Sequence, residues 1–219
     1  EIRPLLRRQL LVDSDVRLTA SSLEDMVVAA ESDSPDRVAW APPLPFENRP
    51  DRVWRNWYHN VWRWPGQWAS DRGNGVPTGE KAAVDGVATA AVLVRLEAFS
   101  KHGLFKSGYF FGNEDRDWFS RVRQGGDQIA MAPVREKILH NVHQSLDGDL
   151  YGNFSPARTY YIVRSMVLIF TYNSPLASKP LLRLVETTLT ILRVLRVAVR
   201  TRNPRVLTAA WAGFVDGLR

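Results

Sequence analysis

The apolar run Leu10-Leu11-Val12 stops at Asp13-Ser14-Asp15, and a helical pattern follows within six residues. An extended apolar stretch cut off by acids and followed by an amphipathic helix predicts a βα unit. Ser21 or Ser22 is the expected helix N-cap, with Glu24 and Asp25 in the first turn. Leu23, Met26, Val27 and Ala30 form the expected buried stripe over residues 21–31. In such units ligands gather at the carboxyl ends of the strands. Two carboxylates one residue apart in an extended turn can share a divalent cation, directly and through water. Asp-rich turns are also common without any ligand.

A second acidic cluster lies far downstream, in Phe110–Gly126, FFGNEDRDWFSRVRQGG. Asn113, Glu114, Asp115 and Asp117 are crowded between glycine and aromatics, and the chain then runs into a helical pattern closed by Gly125-Gly126. Glu114 and Asp117 share one face near the positive end of the helix dipole. Taken alone, the stretch reads as a capped helix start, with Asn113 as the cap.

Between these clusters the chain alternates. Val38–Leu44 reads as a short strand broken by Pro42-Pro43, and Val84–Arg95 as a run of small and β-branched strand residues. Residues 47–80 show no helical or strand period. They hold Trp54, Trp57, Trp62, Trp64 and Trp68, mixed with arginines and His59. Such a loop suits stacking on sugar or base faces, or packing on its own domain or on a partner. Glu97–Gly103 is a short helix, and Gln128–Ala132 and Lys137–His143 are two short strands. His140 and His143 straddle the end of the second. Two histidines below two acidic clusters make a metal site plausible.

From Pro156 the pattern is helical. Arg158–Tyr172, Leu181–Arg200 and Arg205–Leu218 are the expected helices, and residues 144–155 a polar loop. Arg183, Arg193, Arg196 and Arg200 project from a surface of Leu, Val and Ile. Four arginines and Glu186 argue against spanning a bilayer. They favour an amphipathic helix lying on an anionic membrane surface. The chain has 219 residues, no cysteine, and a net charge of +6, which excludes a disulfide framework and favours an anionic partner.

In combination and order, five segments resemble the family 2 glycosyltransferases of GT-A fold, in the bacterial rhamnosyl- and galactofuranosyltransferase-like branch. They are LLVDSDVRLTASSLEDMVVAAE, VATAAVLVRLEAFSKHGLF, FFGNEDRDWFSRVRQGG, KILHNVHQS and ARTYYIVRSMVLI. The resemblance covers roughly residues 8–172. It implies an α/β chain with a partial GT-A, Rossmann-like mixed sheet over 1–155, to which the residue pattern of 156–219 adds amphipathic membrane-associating helices. It implies an inverting transfer from a nucleoside-diphosphate sugar to a cell-envelope or lipid-linked glycan, on the cytoplasmic face of the plasma membrane.

Residue by residue, the resemblance implies that Asp13, Asp15 and His140 hold Mn²⁺ or Mg²⁺ with the donor diphosphate. Asp115 is then the general base. Glu114 and Asp117 orient it or hold the acceptor, and Trp118 lines the pocket. Thr89 and Ala90 fall close to the donor sugar, Arg164 on a substrate-contacting helix, and Trp62 and Trp64 beside the acceptor. About a dozen residues precede Asp13, where the family carries most of its nucleotide-binding half. The expectation is a fragment whose missing half comes from the rest of a longer chain or from a partner, a second copy included. Two other classes fit the composition: a non-catalytic sugar- or lipid-binding relative, and a basic nucleic-acid-binding protein. Arginines on Leu-rich helices suit a membrane better than a phosphate groove, so no nucleic-acid partner is expected.

Overall fold

The computed structural model describes residues 7–47, 49–54, 57–58, 83–110, 112–141, 155–171 and 180–219. The chain is mixed α/β, as the sequence predicts. Its contacts divide it into two units: residues 1–104 with 118–143, and residues 105–117 with 144–219.

The first unit carries the strands. β1 (Arg8–Val12), β3 (Arg37–Ala41), β7 (Ala83–Val84), β9 (Ala91–Arg95) and β10 (Gln128–Met131) form a mixed sheet in the order β1-β9-β3-β10-β7. Only the β3–β10 pair is parallel. A second sheet runs β2-β11-β4-β5, built from β2 (Val16–Arg17), β4 (Leu44–Phe46), β5 (Arg49–Trp54) and β11 (Leu139–His140). β6 (Trp57–Tyr58) pairs with β8 (Gly86–Val87). The core under α1 (Ala20–Glu31) joins Met26 and Ala30 to Trp40, Leu44, Leu93, Ala130 and Ile138.

Several local expectations are corrected. The cap of α1 is Thr19, not Ser21 or Ser22. Its hydroxyl accepts the Ser22 amide, and the Ser22 hydroxyl accepts the Thr19 amide. This reciprocal box starts the helix earlier and moves Glu24 and Asp25 out of the first turn. Leu23 faces outward and is exposed, while Met26 and Ala30 are buried. Val84–Arg95 is three strands rather than one, because the chain turns at Thr89-Ala90 before β9. Part of 47–80 is strand: charged residues and Pro50 hide the period of β5, yet it pairs antiparallel with β4. Within Lys137–His143 the strand is only Leu139–His140, and His143 lies outside the described residues.

α2 (Leu96–His102) stops at Gly103, whose φ of 75° with an extended ψ of 171° is a conformation that glycine adopts without strain. α3 (Glu114–Gln124) begins in the second unit and ends in the first. In the second unit, Tyr109 joins a cluster with Met166–Phe170 of α4 (Pro156–Thr171). α5 (Pro180–Thr201) contributes Val194 and Val197 to a second cluster, with Val163 of α4 and Val206 of α6 (Arg205–Leu218). α4 and α6 approach closely at two glycines. A Cβ on Gly213 would lie 2.3 Å from the Tyr160 carbonyl oxygen, and one on Gly217 2.7 Å from Val167 Cβ.

Candidate metal centre and carboxylate cluster

The aspartates of the first unit sit on the turn that leaves β1. The Asp13 amide donates to the Ala90 carbonyl at 2.9 Å, and the Val16 amide closes the turn on the Asp13 carbonyl at 3.1 Å. Of the expected donor-side residues, Ala90 is therefore brought against Asp13, with Thr89 its neighbour in the chain. Ala90 is buried and Thr89 half-buried.

His140 reaches the same place through strand pairing. β11 runs antiparallel to β2, with His140 opposite Val16, and the Asn141 amide donates to the Asp15 carbonyl at 2.8 Å. His140 Nε2 lies 3.3 Å from Asp15 Oδ1. Burial, then the charge of Asp15, hold the Asp13 carboxyl above its usual range, and His140 pulls the other way. Two carboxylates and an imidazole are a suitable donor set for Mn²⁺ or Mg²⁺. The repulsion felt by Asp13 is the kind a divalent cation relieves. Among the described residues, no group of three or more His, Asp or Glu side chains already encloses an ion position. The donor chemistry fits a cation, with Asp15 and His140 as the preassembled pair.

The carboxylates of the second unit open α3. Gly112 and Asn113 both have positive φ, 78° and 67°, which turns the chain sharply into the helix. Asn113 sits at the cap position, and its carbonyl accepts the Asp117 amide at 2.9 Å. Its backbone is left-handed rather than the extended form usual for a side-chain cap, and asparagine tolerates that better than most residues. Glu114, Asp115 and Asp117 occupy the first turn, as the sequence predicts.

Their environments differ. Asp117 is fully buried, with the Lys106 ammonium 3.3 Å away. Asp115 Oδ1 accepts the Arg116 amide at 2.6 Å. Burial first, and the Glu114 charge second, push the Asp115 carboxyl up to about 7, against the opposing pull of Arg116. A carboxyl poised there can take a proton at neutral pH, as a general base must. Arg116 is itself nearly buried and pairs with Glu186 of α5 at 2.9 Å. Sequence reasoning missed this pair, whose only signal was one acid in an arginine-rich helix.

Trp118 and Arg164 each donate to a backbone carbonyl. Trp118 is fully buried in the first unit. Its indole donates to the Gly103 carbonyl at 2.7 Å, and its ring packs on Phe99 and Phe119. It anchors α3 to the end of α2. Arg164 donates to the Gly108 carbonyl at 2.8 Å, so it fastens the segment that leads into the carboxylate cluster. Trp62 and Trp64 lie outside the described residues. No protein-family model matches the chain, and no curated protein matches it.

Proposed function

We propose that the chain is the metal- and acceptor-binding part of an inverting, metal-dependent glycosyltransferase, similar to family 2 enzymes of GT-A fold. The observation that carries this reading is Asp115, a helix-start carboxyl raised to about 7 by burial and by Glu114. A second acid–imidazole set, Asp13, Asp15 and His140, has the chemistry of a divalent-cation site.

In the proposed reaction Asp115 takes the proton from an acceptor hydroxyl. The acceptor oxygen bonds to the anomeric carbon of the donor sugar as the bond to the diphosphate oxygen breaks, inverting that centre. Mn²⁺ or Mg²⁺ held by Asp13, Asp15 and His140 would supply positive charge to the departing nucleoside diphosphate. Glu114 keeps Asp115 basic through like charge. Asp117, locked on Lys106, orients the turn rather than meeting the acceptor. Thr89 and Ala90, beside Asp13, fall on the donor side. The acceptor is proposed as a glycan or lipid-linked glycan on the inner membrane face. Among the described residues no helix is long and apolar enough to cross a membrane.

Release of nucleoside diphosphate from a panel of nucleotide sugars, with Mn²⁺ and a lipid-linked glycan extract, tests this. Wild type should release it in a Mn²⁺-dependent way, and Asp115→Asn should be slower by about 10²–10⁴-fold. Equal rates in the two proteins, or no release by either, would contradict the reading.

A further inference from the structure

α5 presents two unlike faces. Val194 and Val197 are buried against α4 and α6. On another face Leu184, Ile191, Leu195 and Val199 are 65%, 54%, 47% and 76% exposed. Their spacing of seven, four and four residues places them along one line of the helix. A helix whose only task is to pack on its own unit does not need this second apolar line.

Charge decides what covers it. With 3.6 residues per turn, exposed Arg196 falls to one side of the line and exposed Arg183 to the other, while Arg200 and Arg193 lie progressively farther round the helix. Glu186 is the one acid of α5, and its side chain is nearly buried and engaged by Arg116, so it offers the surface little negative charge. The outward charge of the helix is therefore positive. A second copy docked face to face about a two-fold axis would bring these arginines toward their own counterparts. A nucleic-acid backbone would answer the arginines but leave the apolar line in water. An anionic bilayer answers both: acyl chains take the leucine line while headgroup phosphates take the arginines.

We propose that α5 docks flat on an anionic lipid surface through the Leu184–Val199 line, with Arg183 and Arg196 on the headgroups. The docking gives a surface to the peripheral location proposed above, and it does not depend on the transfer chemistry. Because Glu186 of the same helix holds Arg116, the docked helix also carries the first turn of α3, with Asp115, as one piece.

Vesicle flotation of the full chain tests this, using phosphatidylglycerol–phosphatidylcholine vesicles against pure phosphatidylcholine. The protein should float with the anionic vesicles and remain largely behind with the neutral ones. The pair Ile191→Glu and Leu195→Glu should cut binding at least tenfold without changing the circular dichroism spectrum, since both side chains are exposed. The pair Arg183→Gln and Arg196→Gln should cut the preference for anionic lipid by about tenfold or more. Asp115→Asn should float like wild type, which separates failure of docking from failure of the transfer reading. Equal flotation with neutral vesicles, no flotation with either, or a concentration-dependent dimer dissolved by Ile191→Glu would overturn the proposal.

Discussion

Arg116 of α3 and Glu186 of α5 form an ion pair at 2.9 Å in which both side chains are nearly buried. Removing one partner leaves the other charge out of water and uncompensated, which is costlier than losing a surface pair. Glu186→Ala should therefore destabilise the protein by about 3 kcal/mol in urea unfolding. The double variant Arg116→Ala, Glu186→Ala should cost less than the sum of the single changes. Additive effects would mean that the two side chains do not depend on each other.

The crossing of α4 and α6 rests on glycines four residues apart. A methyl at Gly213 would fall 2.3 Å from a backbone oxygen, which cannot swing away as a side-chain end can. Gly213→Ala should cost about 2 kcal/mol or more, with loss of the Tyr160–Asp216 hydrogen bond that spans the same helices at 2.9 Å. Ala212→Ser, on the exposed side of α6, should change stability by less than about 0.5 kcal/mol. Equal tolerance at the two positions would contradict the close crossing.

Asp115 gives a pH signature with a definite sign. Its carboxyl sits at about 7 in the fold and near 4 in an unfolded chain. Between those values the folded protein binds the extra proton, so this group's contribution to stability falls as pH rises from about 4 through about 7. Asp115→Asn removes the penalty. The variant should match wild type near pH 4 and exceed it by on the order of 4 kcal/mol at pH 8. The proposed transfer rate should rise over the same interval, as the carboxylate forms. A stability difference independent of pH would show that Asp115 titrates normally.

Much of the fold was legible where local chemistry sets the boundary. The halt of β1 at Asp13, the stop of α2 at Gly103, and the acidic first turn of α3 all follow from neighbouring residues. What was hidden depended on partners distant in sequence. Three hydroxyl residues near the start of α1 compete for one cap, and only the Thr19–Ser22 geometry chooses. β5 becomes a strand because β4 pairs with it, against its own composition. Trp118 carries the same residue type whether it stacks on a ligand or fills a core, and its burial under Phe99 was not in the local pattern. In the candidate site, the acids were visible as clusters. The contact of His140 with Asp15 was reached from the resemblance, and its physical cause, the β2–β11 ladder, is non-local.

The proposed divalent-cation site on Asp13, Asp15 and His140 would serve a nucleoside diphosphate. Calorimetry of Mn²⁺ binding to wild type, Asp15→Ala and His140→Ala, each with and without nucleoside diphosphate, tests it most directly. One Mn²⁺ should bind wild type, more tightly when the nucleotide is present, and both variants should lose about tenfold or more in affinity. Unchanged affinity in either variant, or no binding to wild type at millimolar Mn²⁺, would contradict the account.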